Sequence, residues 1–287
     1  MTIVAPCRLE MQEVIMDNRY NLAEVEWPTT PFPLDQSLVL AVKRGSEANG
    51  TYIPPADPNS IDDRDIMGII IPPARNYVGL GTWEGADSIK GCWDVVFYEF
   101  RKFVNLLMKQ NPNVLLALWV EPEDILYLEP AGRLLIQNRD LFRQRTAAFK
   151  SFLGYATSQL QKMEGGAFKG YMGEKRKALV EKYGYDTKNA AHLIRLLNTG
   201  IEYLRDGKLN VKRTHDRDML IDIKTGKWKL EDVKMYAYGL EMIMKECYEH
   251  SVLPDEPIDF NAVEELVMKC IGPVISRELS EPTNCLR

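Results

Sequence analysis

The chain has 287 residues, of which 45% are hydrophobic and 27% charged, a composition that excludes a disordered protein and indicates a folded globular one. No apolar run is long enough to cross a bilayer and no signal peptide pattern is present, so we expect a cytoplasmic protein. The net charge of −5 is unevenly spread: residues 150–213 hold thirteen Lys and Arg against six Asp and Glu. This basic block favours polyanionic partners, although solvated helix faces often carry similar charge.

The first half of the chain mixes strand and helix signals. Residues 36–44 (QSLVLAVKR) and 66–71 (IMGIII) are apolar, β-branched runs that stop at glycine or proline, and they predict two buried strands. Residues 94–110 repeat apolar positions at three- and four-residue spacing, which predicts a helix. Residues 114–120 are apolar again and predict a third strand.

The second half shows helical periodicity and few strand signals. Five helices are predicted, at residues 140–163, 173–183, 189–205, 230–250 and 261–277. The predicted fold class is therefore α+β. A small mixed β-sheet with flanking helices forms a domain in residues 1–130, and an all-helical domain follows in residues 131–287.

Two carboxylates stand at the start of the second predicted strand. Asp63 and Asp65 are two residues apart, so on a strand they point to the same face. Like charges at this distance raise each other's pKa and destabilise a fold unless a cation neutralises them. Mg²⁺, or Mn²⁺ in its place, is typically held by one or two carboxylates together with substrate phosphates. The pair predicts a metal site, although an isolated pair of this kind is more often a solvated strand end.

A glycine and a serine follow the first predicted strand. Gly45 would let the backbone approach a phosphate closely, and the Ser46 hydroxyl could donate a hydrogen bond to it. Taken alone, Gly-Ser is usually a turn. Because both short motifs lie beside neighbouring predicted strands, together they predict a triphosphate and metal site.

Three polar residues share one face of a predicted helix in the basic block. Lys188, His192 and Arg195 follow spacings of four and three, opposite an apolar face. Lysine supplies charge and arginine a fork that can grip phosphate, so we expect this face to contact nucleotide. A histidine in such a position is more often a structural residue, and its role here depends on its neighbours.

Several segments together resemble a known superfamily. The segments are GSEANGT, SIDDRDIMGI, DVVFYEFRKF, NPNVLLALW, FLGYATSQL and KNAAHLIRLL, spread over residues 38–235. They resemble the DNA polymerase beta-like nucleotidyltransferases, and within them a bacterial and phage branch that includes an RNA-repair-associated type. The resemblance implies that Asp63 and Asp65 bind metal, that Gly45 and Ser46 contact the triphosphate, and that a helical domain holds base, sugar or acceptor.

One position departs from the pattern of similar sequences. They usually carry a third carboxylate on the strand after Asn-Pro-Asn, where this chain has Leu116. The next acid along that segment, Glu121, is expected to face away from Leu116 on a regular strand. The departure implies that nucleotide binding could persist while catalysis is weak.

The sequence leads to a primary hypothesis and two alternatives. The first is a Mg²⁺-dependent nucleotidyltransferase that moves a nucleoside monophosphate from a nucleoside triphosphate to an acceptor hydroxyl, with an RNA end as the expected acceptor. The second is a nucleotide- or RNA-binding module that kept the fold and lost turnover. The third, a purely structural partner protein, is disfavoured by the paired aspartates.

Overall fold

A five-stranded mixed sheet forms the first part of the chain. The computed structural model describes residues 25–57, 60, 62–164 and 174–280. The strands are β1 (Leu38–Arg44), β2 (Arg64–Ile70), β3 (Gly85–Lys90), β4 (Trp93–Glu99) and β5 (Ile125–Leu128). Their order across the sheet is β3-β4-β2-β1-β5, and only the β2–β4 pair is parallel within this sheet.

Short helices accompany the sheet and longer ones follow it. The helices beside the sheet are α1 (Gly45–Ala48), α2 (Arg75–Val78), α3 (Phe100–Met108), α4 (Pro112–Leu115) and α5 (Pro130–Gln137). The later helices are α6 (Arg145–Glu164), α7 (Glu174–Tyr183), α8 (Thr187–Asp206), α9 (Arg217–Lys224), α10 (Leu230–Glu249) and α11 (Phe260–Ser280). None of the helices in the described part of the chain has the length and apolar composition needed to span a bilayer.

Helix α8 is the centre of the helical part. Its N-cap Asp186 accepts a hydrogen bond from the Asn189 backbone N–H, and Gly207 ends it in the left-handed conformation. Between these ends most of its side chains are buried, and it packs against α6, α9 and α10. Because α8 is fixed on several sides, the polar residues on its remaining face are held in place.

The two faces of the sheet are covered differently. One face, with Trp93, Val95 and Phe97 of β4, packs against the segment around Val25 and Phe32. The other face joins one continuous apolar core that reaches through α3, α6 and α8 to α10 and α11. This core contains residues from both sides of the domain boundary proposed at residue 130, and the boundary stays a prediction.

The α+β class, the mixed sheet and the helical second part are confirmed, and two element predictions are wrong. Residues 94–110 do not form one helix, because β4 continues to Glu99 before α3 begins. Residues 114–120 are not a strand but the end of α4 and a 3-10 helix over Leu116–Leu118. Helix α4 begins there because Asn111 caps it and Pro112 occupies its first position.

Candidate functional site

The chain turns sharply between the first strand and the predicted phosphate-contacting residues. Gly45 has a φ of 61°, a left-handed conformation that favours glycine. A Cβ atom at this position would lie 1.9 Å from Asp65 Oδ2, which is far inside contact distance. The backbone of the Gly45-Ser46 turn is therefore in direct contact with the second carboxylate of the predicted metal pair.

All seven predicted site residues lie around one cavity of about 780 Å³. Helix α1 contributes Gly45 and Ser46, Asp63 lies just before β2 and Asp65 lies on it, and α8 contributes Lys188, His192 and Arg195. Residues separated by more than a hundred positions are thus brought together in the predicted combination. Their individual roles in binding or catalysis stay predictions.

A third carboxylate lies beside Asp65, at a position that the sequence patterns did not identify. In the strand register Asp65 of β2 is opposite Asp94 of β4, and on its other side it is opposite Arg44 of β1. The three side chains therefore form a line across three neighbouring strands, and we call its two acids, Asp65 and Asp94, the acidic row. Asp94 was overlooked because residues 94–110 were predicted to be a helix, in which Asp94 would be a terminal residue.

Arg44 is the cation next to the acidic row. Its Nη2 atom lies 2.8 Å from Asp94 Oδ1 and 3.9 Å from Asp65 Oδ1. The guanidinium consequently reaches past the nearer carboxylate to bond the farther one. Its Nε atom is buried and has no hydrogen-bond partner among the described residues.

The surroundings of Asp65 raise the pKa of its carboxyl group. Burial raises the pKa of Asp65 to about 6, Arg44 opposes that increase, and Asp94 adds to it. Smaller contributions come from Lys188, which lowers the pKa, and Asp63, which raises it. Negative charge at Asp65 is therefore only partly compensated by the protein, as expected where a further cation binds.

The residue before the predicted pair is a buried structural acid. Asp62 accepts hydrogen bonds from the Ile53 backbone N–H at 2.9 Å and from Lys224 Nζ at 2.6 Å. Lys224 also donates to the Thr51 carbonyl, so α9 is attached to the loop that leads into β2. Burial lowers the pKa of Lys224, and its contact with Asp62 acts in the opposite direction. The predictions missed this pair because its members are far apart in the chain.

Lys188 of α8 lies near the acids that precede β2. Its Nζ atom lies 3.9 Å from Asp62 Oδ1 and 4.0 Å from Asp63 Oδ2. These distances are at the outer limit of an ion pair. Lys188 therefore lies close to both acids that precede β2.

Arg195 is a buried cation at the back of the cavity. Its Nη2 atom is 3.2 Å from His192 Nδ1, and it forms no ion pair with a carboxylate in the described part of the chain. Burial and the neighbouring Arg213 lower the pKa of Arg195 to about 10, with Asp216 opposing them. A buried guanidinium with unused donors is costly, and a bound anion would compensate it.

The residues present fit a metal ion that arrives with its substrate. No group of three His, Cys, Asp or Glu side chains in the described part of the chain is arranged as a ready-made metal centre. Mg²⁺, however, keeps several waters and commonly takes only one or two protein carboxylates plus phosphate oxygens. Asp63 and Asp65 can supply those ligands, and the buried Ser46 hydroxyl, which has no hydrogen-bond partner among the described residues, can bond a phosphate oxygen.

The structure corrects the expectation about the third acid. Leu116 lies in a 3-10 helix and contributes an apolar side chain to the cavity, so it is not on a strand beside Asp65. Glu121 is exposed and does not line the cavity. The carboxylate that neighbours Asp65 on the sheet is Asp94, and the expectation that catalysis is weak stays a prediction.

Comparison with known proteins identifies the family of the chain. Residues 14–269 match the model of the RNA repair pathway DNA polymerase beta family, RlaP. No curated protein matches the chain. Among solved structures the chain is similar to a nucleotidyltransferase-like protein from Exiguobacterium sibiricum 255-15, with 8% identity, a TM-score of 0.26, and coverage of 86% of this chain and 76% of that one. Because the family model spans most of the sequence, the chain belongs to the RNA repair pathway DNA polymerase beta family, a branch of the polymerase beta-like nucleotidyltransferases.

Proposed function

We propose that this chain is a Mg²⁺-dependent nucleotidyltransferase that transfers a nucleoside monophosphate from a nucleoside triphosphate to a hydroxyl at an RNA end. One observation carries the proposal. Asp63, Asp65 and Asp94 line one cavity together with the Gly45-Ser46 turn and with cations of α8, Lys188 and Arg195. Such a cavity matches the charge pattern of a metal triphosphate, which needs carboxylates for the metal and donors for the phosphates.

The carboxylates would hold the metal ion and the acceptor hydroxyl. Asp63 and Asp65 would hold the ion, and Asp94 lies beside Asp65 where it can share in ligation or hold the acceptor hydroxyl. When bound, Mg²⁺ neutralises charge on the reacting phosphate and lowers the pKa of a coordinated hydroxyl. Asp65, whose negative charge Arg44 and Lys188 only partly compensate, would gain a further cation.

The remaining residues would bind and orient the triphosphate. The Ser46 hydroxyl has an unused hydrogen-bonding capacity, and Lys188 and Arg195 supply positive charge from α8. The acceptor oxygen forms a bond to the α-phosphorus while the bond to the bridging oxygen breaks, the hydroxyl proton passes to a carboxylate of the acidic row, and pyrophosphate leaves. The protein contributes position and charge and needs no covalent nucleophile.

An RNA acceptor is supported by two independent features. The family whose model matches the chain is described as an RNA repair pathway family. Residues 150–213, which include α8, carry a local excess of seven positive charges in a protein whose overall charge is −5. A local basic surface attracts a polyanion even when the whole protein is acidic.

A nucleotide-binding module without turnover is the second candidate. The observation in its favour is the ion pair between Arg44 and Asp94, because a protein cation already occupies a carboxylate of the acidic row. In such a module the cavity would still bind a triphosphate through Ser46 and α8. It would not activate an acceptor.

The decisive experiment follows label from an α-labelled nucleoside triphosphate into RNA. The full chain is incubated with each of the four triphosphates, Mg²⁺ or Mn²⁺, and a mixture of RNAs with different ends. We expect transfer by the unaltered chain and a loss of at least a hundredfold in Asp65→Asn and Asp94→Asn. Asp87→Asn is the matched control, since Asp87 is an exposed acid of β3 that does not line the cavity.

The outcomes separate the two candidates. If the unaltered chain binds nucleotide in the presence of metal but transfers label to no RNA, and Asp65→Asn no longer binds nucleotide, the binding module is supported. Undiminished transfer in both Asp65→Asn and Asp94→Asn would show that the acidic row is not the reaction centre.

A further inference from the structure

Arg44 occupies the place where a metal ion would meet the acidic row. The side chains of Arg44, Asp65 and Asp94 point to the same face of the sheet from directly opposed positions on β1, β2 and β4. The guanidinium bonds Asp94 at 2.8 Å and stays within 3.9 Å of Asp65. A protein cation is therefore already within 4 Å of both acids.

Guanidinium and a divalent metal compete for the same carboxylate oxygens. Each bonds through the lone pairs of the carboxylate, and two positive groups cannot approach one pair of acids without repulsion. Mg²⁺ additionally requires near-octahedral geometry, which a guanidinium lying across the site obstructs. Metal binding at Asp65 and Asp94 therefore requires Arg44 to withdraw.

An incoming triphosphate offers Arg44 a new partner. Arg44 immediately precedes the Gly45-Ser46 turn, and its buried Nε has no hydrogen-bond partner among the described residues. A phosphate that accepts a hydrogen bond from Ser46 would lie next to this side chain. Because arginine binds phosphate bidentately, a phosphate there competes with Asp94 for the guanidinium.

We propose that Arg44 is a built-in counter-cation that stabilises the acidic row before ligands arrive, excludes free divalent metal from it, and transfers to the triphosphate when metal and nucleotide bind together. This inference rests on the proposed function, since it assumes the same metal and nucleotide site. Its consequence is coupling: nucleotide strengthens metal binding because it removes the competing cation, and the metal strengthens nucleotide binding by the same factor.

The test measures Mn²⁺ binding directly, by the loss of the electron paramagnetic resonance signal of free Mn²⁺. The full chain and Arg44→Met are titrated without nucleotide and with a triphosphate analogue whose bridge between α- and β-phosphorus is a methylene group. We expect Arg44→Met to bind Mn²⁺ about tenfold more tightly without nucleotide, equivalent to about 1.4 kcal/mol. We also expect the analogue to increase Mn²⁺ affinity several-fold less in the variant than in the unaltered chain.

Arg64→Met is the matched control for a general change in net charge. Arg64 is the residue before Asp65 on β2, but it points to the opposite face of the sheet, where it lies over the Trp93 ring. We expect the Arg64→Met variant to bind Mn²⁺ with the affinity of the unaltered chain. If Arg44→Met does not fold, as circular dichroism would show, Arg44→Lys replaces it, because lysine keeps the charge but cannot reach across Asp65 with a planar fork.

Failure of the inference can be distinguished from failure of the proposed function. If Asp65→Asn and Asp94→Asn lose Mn²⁺ binding while the Arg44 variants bind Mn²⁺ as the unaltered chain does, the metal site stands and the role of Arg44 is overturned. Weaker Mn²⁺ binding in Arg44→Met would overturn it as well. If the two aspartate variants bind Mn²⁺ normally, the site assignment itself is wrong.

Discussion

Asp65 makes the metal-free fold less stable than it could be. Its pKa in the folded chain is about 6, above the ordinary value of 3.8, so the folded chain takes up a proton more readily than the unfolded chain. Stability from this group is therefore greatest at low pH and is lost as the pH rises through about 6. Above that pH the charged side chain destabilises the fold unless a cation binds.

Asp65→Asn should raise stability in the absence of metal. We expect a gain of about 1 to 3 kcal/mol in the free energy of unfolding at pH 8, falling to about half of that at pH 5, because protonation of Asp65, whose pKa is raised to about 6, progressively removes the buried charge. Urea unfolding in the presence of a chelator measures both values. A loss of stability at pH 8 would contradict the assignment, and Asp87→Asn should show no comparable gain.

Gly45→Ala should damage the site more than the fold. The left-handed φ of 61° costs an alanine about 1 to 2 kcal/mol, and its Cβ would collide with Asp65 Oδ2. Gly184→Ala is the matched control, because Gly184 has a φ of 81° and no atom within 4 Å of a built Cβ. We expect similar losses of stability in both variants, with a fall of more than tenfold in Mn²⁺ affinity only in Gly45→Ala. Equal Mn²⁺ affinities in the two would refute the close packing of the turn on Asp65.

At the scale of elements, α9 is fixed to the loop before β2 by a buried ion pair. Lys224→Met leaves the fully buried Asp62 without its nearest cation, which typically costs about 3 to 5 kcal/mol. Adding Asp62→Asn should restore much of the loss, since an amide oxygen can still accept from the Ile53 N–H without carrying charge. Urea unfolding of the two single variants and the double variant gives the coupling free energy. Additive losses would show that the pair contributes little.

The strands that hold the site were only partly predictable. β1 and β2 were recognised because they are buried β-branched runs bounded by glycine and proline. β4 was not, because Val96 and Tyr98 pack on one sheet face while Val95 and Phe97 pack on the other, so no polar alternation marks the strand. Its apolar residues continue into α3 and imitate helical spacing.

The errors in elements explain the errors in the site. Asp94 could be identified only after β4 was known to lie parallel to β2, since the register alone makes it a neighbour of Asp65. The helix at Pro112 carried a readable signal, an Asn-Pro cap, which was outweighed by the apolar run that follows it. The local motifs at Gly45, Asp63 and Asp65 were found because their residues are close in sequence.

At the scale of the whole molecule, the cavity joins strands of the sheet to helices α7, α8 and α9. A ligand that binds there should stabilise the entire chain as one unit. With metal and the triphosphate analogue at about 100 times the dissociation constant, linkage gives about 2.7 kcal/mol, or a melting temperature raised by about 5 °C. Circular dichroism, which follows the helices, and tryptophan fluorescence should report the same shift. A shift seen by only one probe would indicate that the sheet and the helices unfold independently.

The separation of the acidic and basic walls along the chain also sets the time at which the site forms. Asp62 and Lys224 are 162 residues apart. A ribosome that adds about 5 to 20 residues per second needs about 8 to 30 s to synthesise that interval. During most of this period the nascent chain carries Asp65 of β2 and Asp94 of β4 but lacks α9, the last of the helices that line the cavity, so the cavity is complete only when about four fifths of the polypeptide has been made.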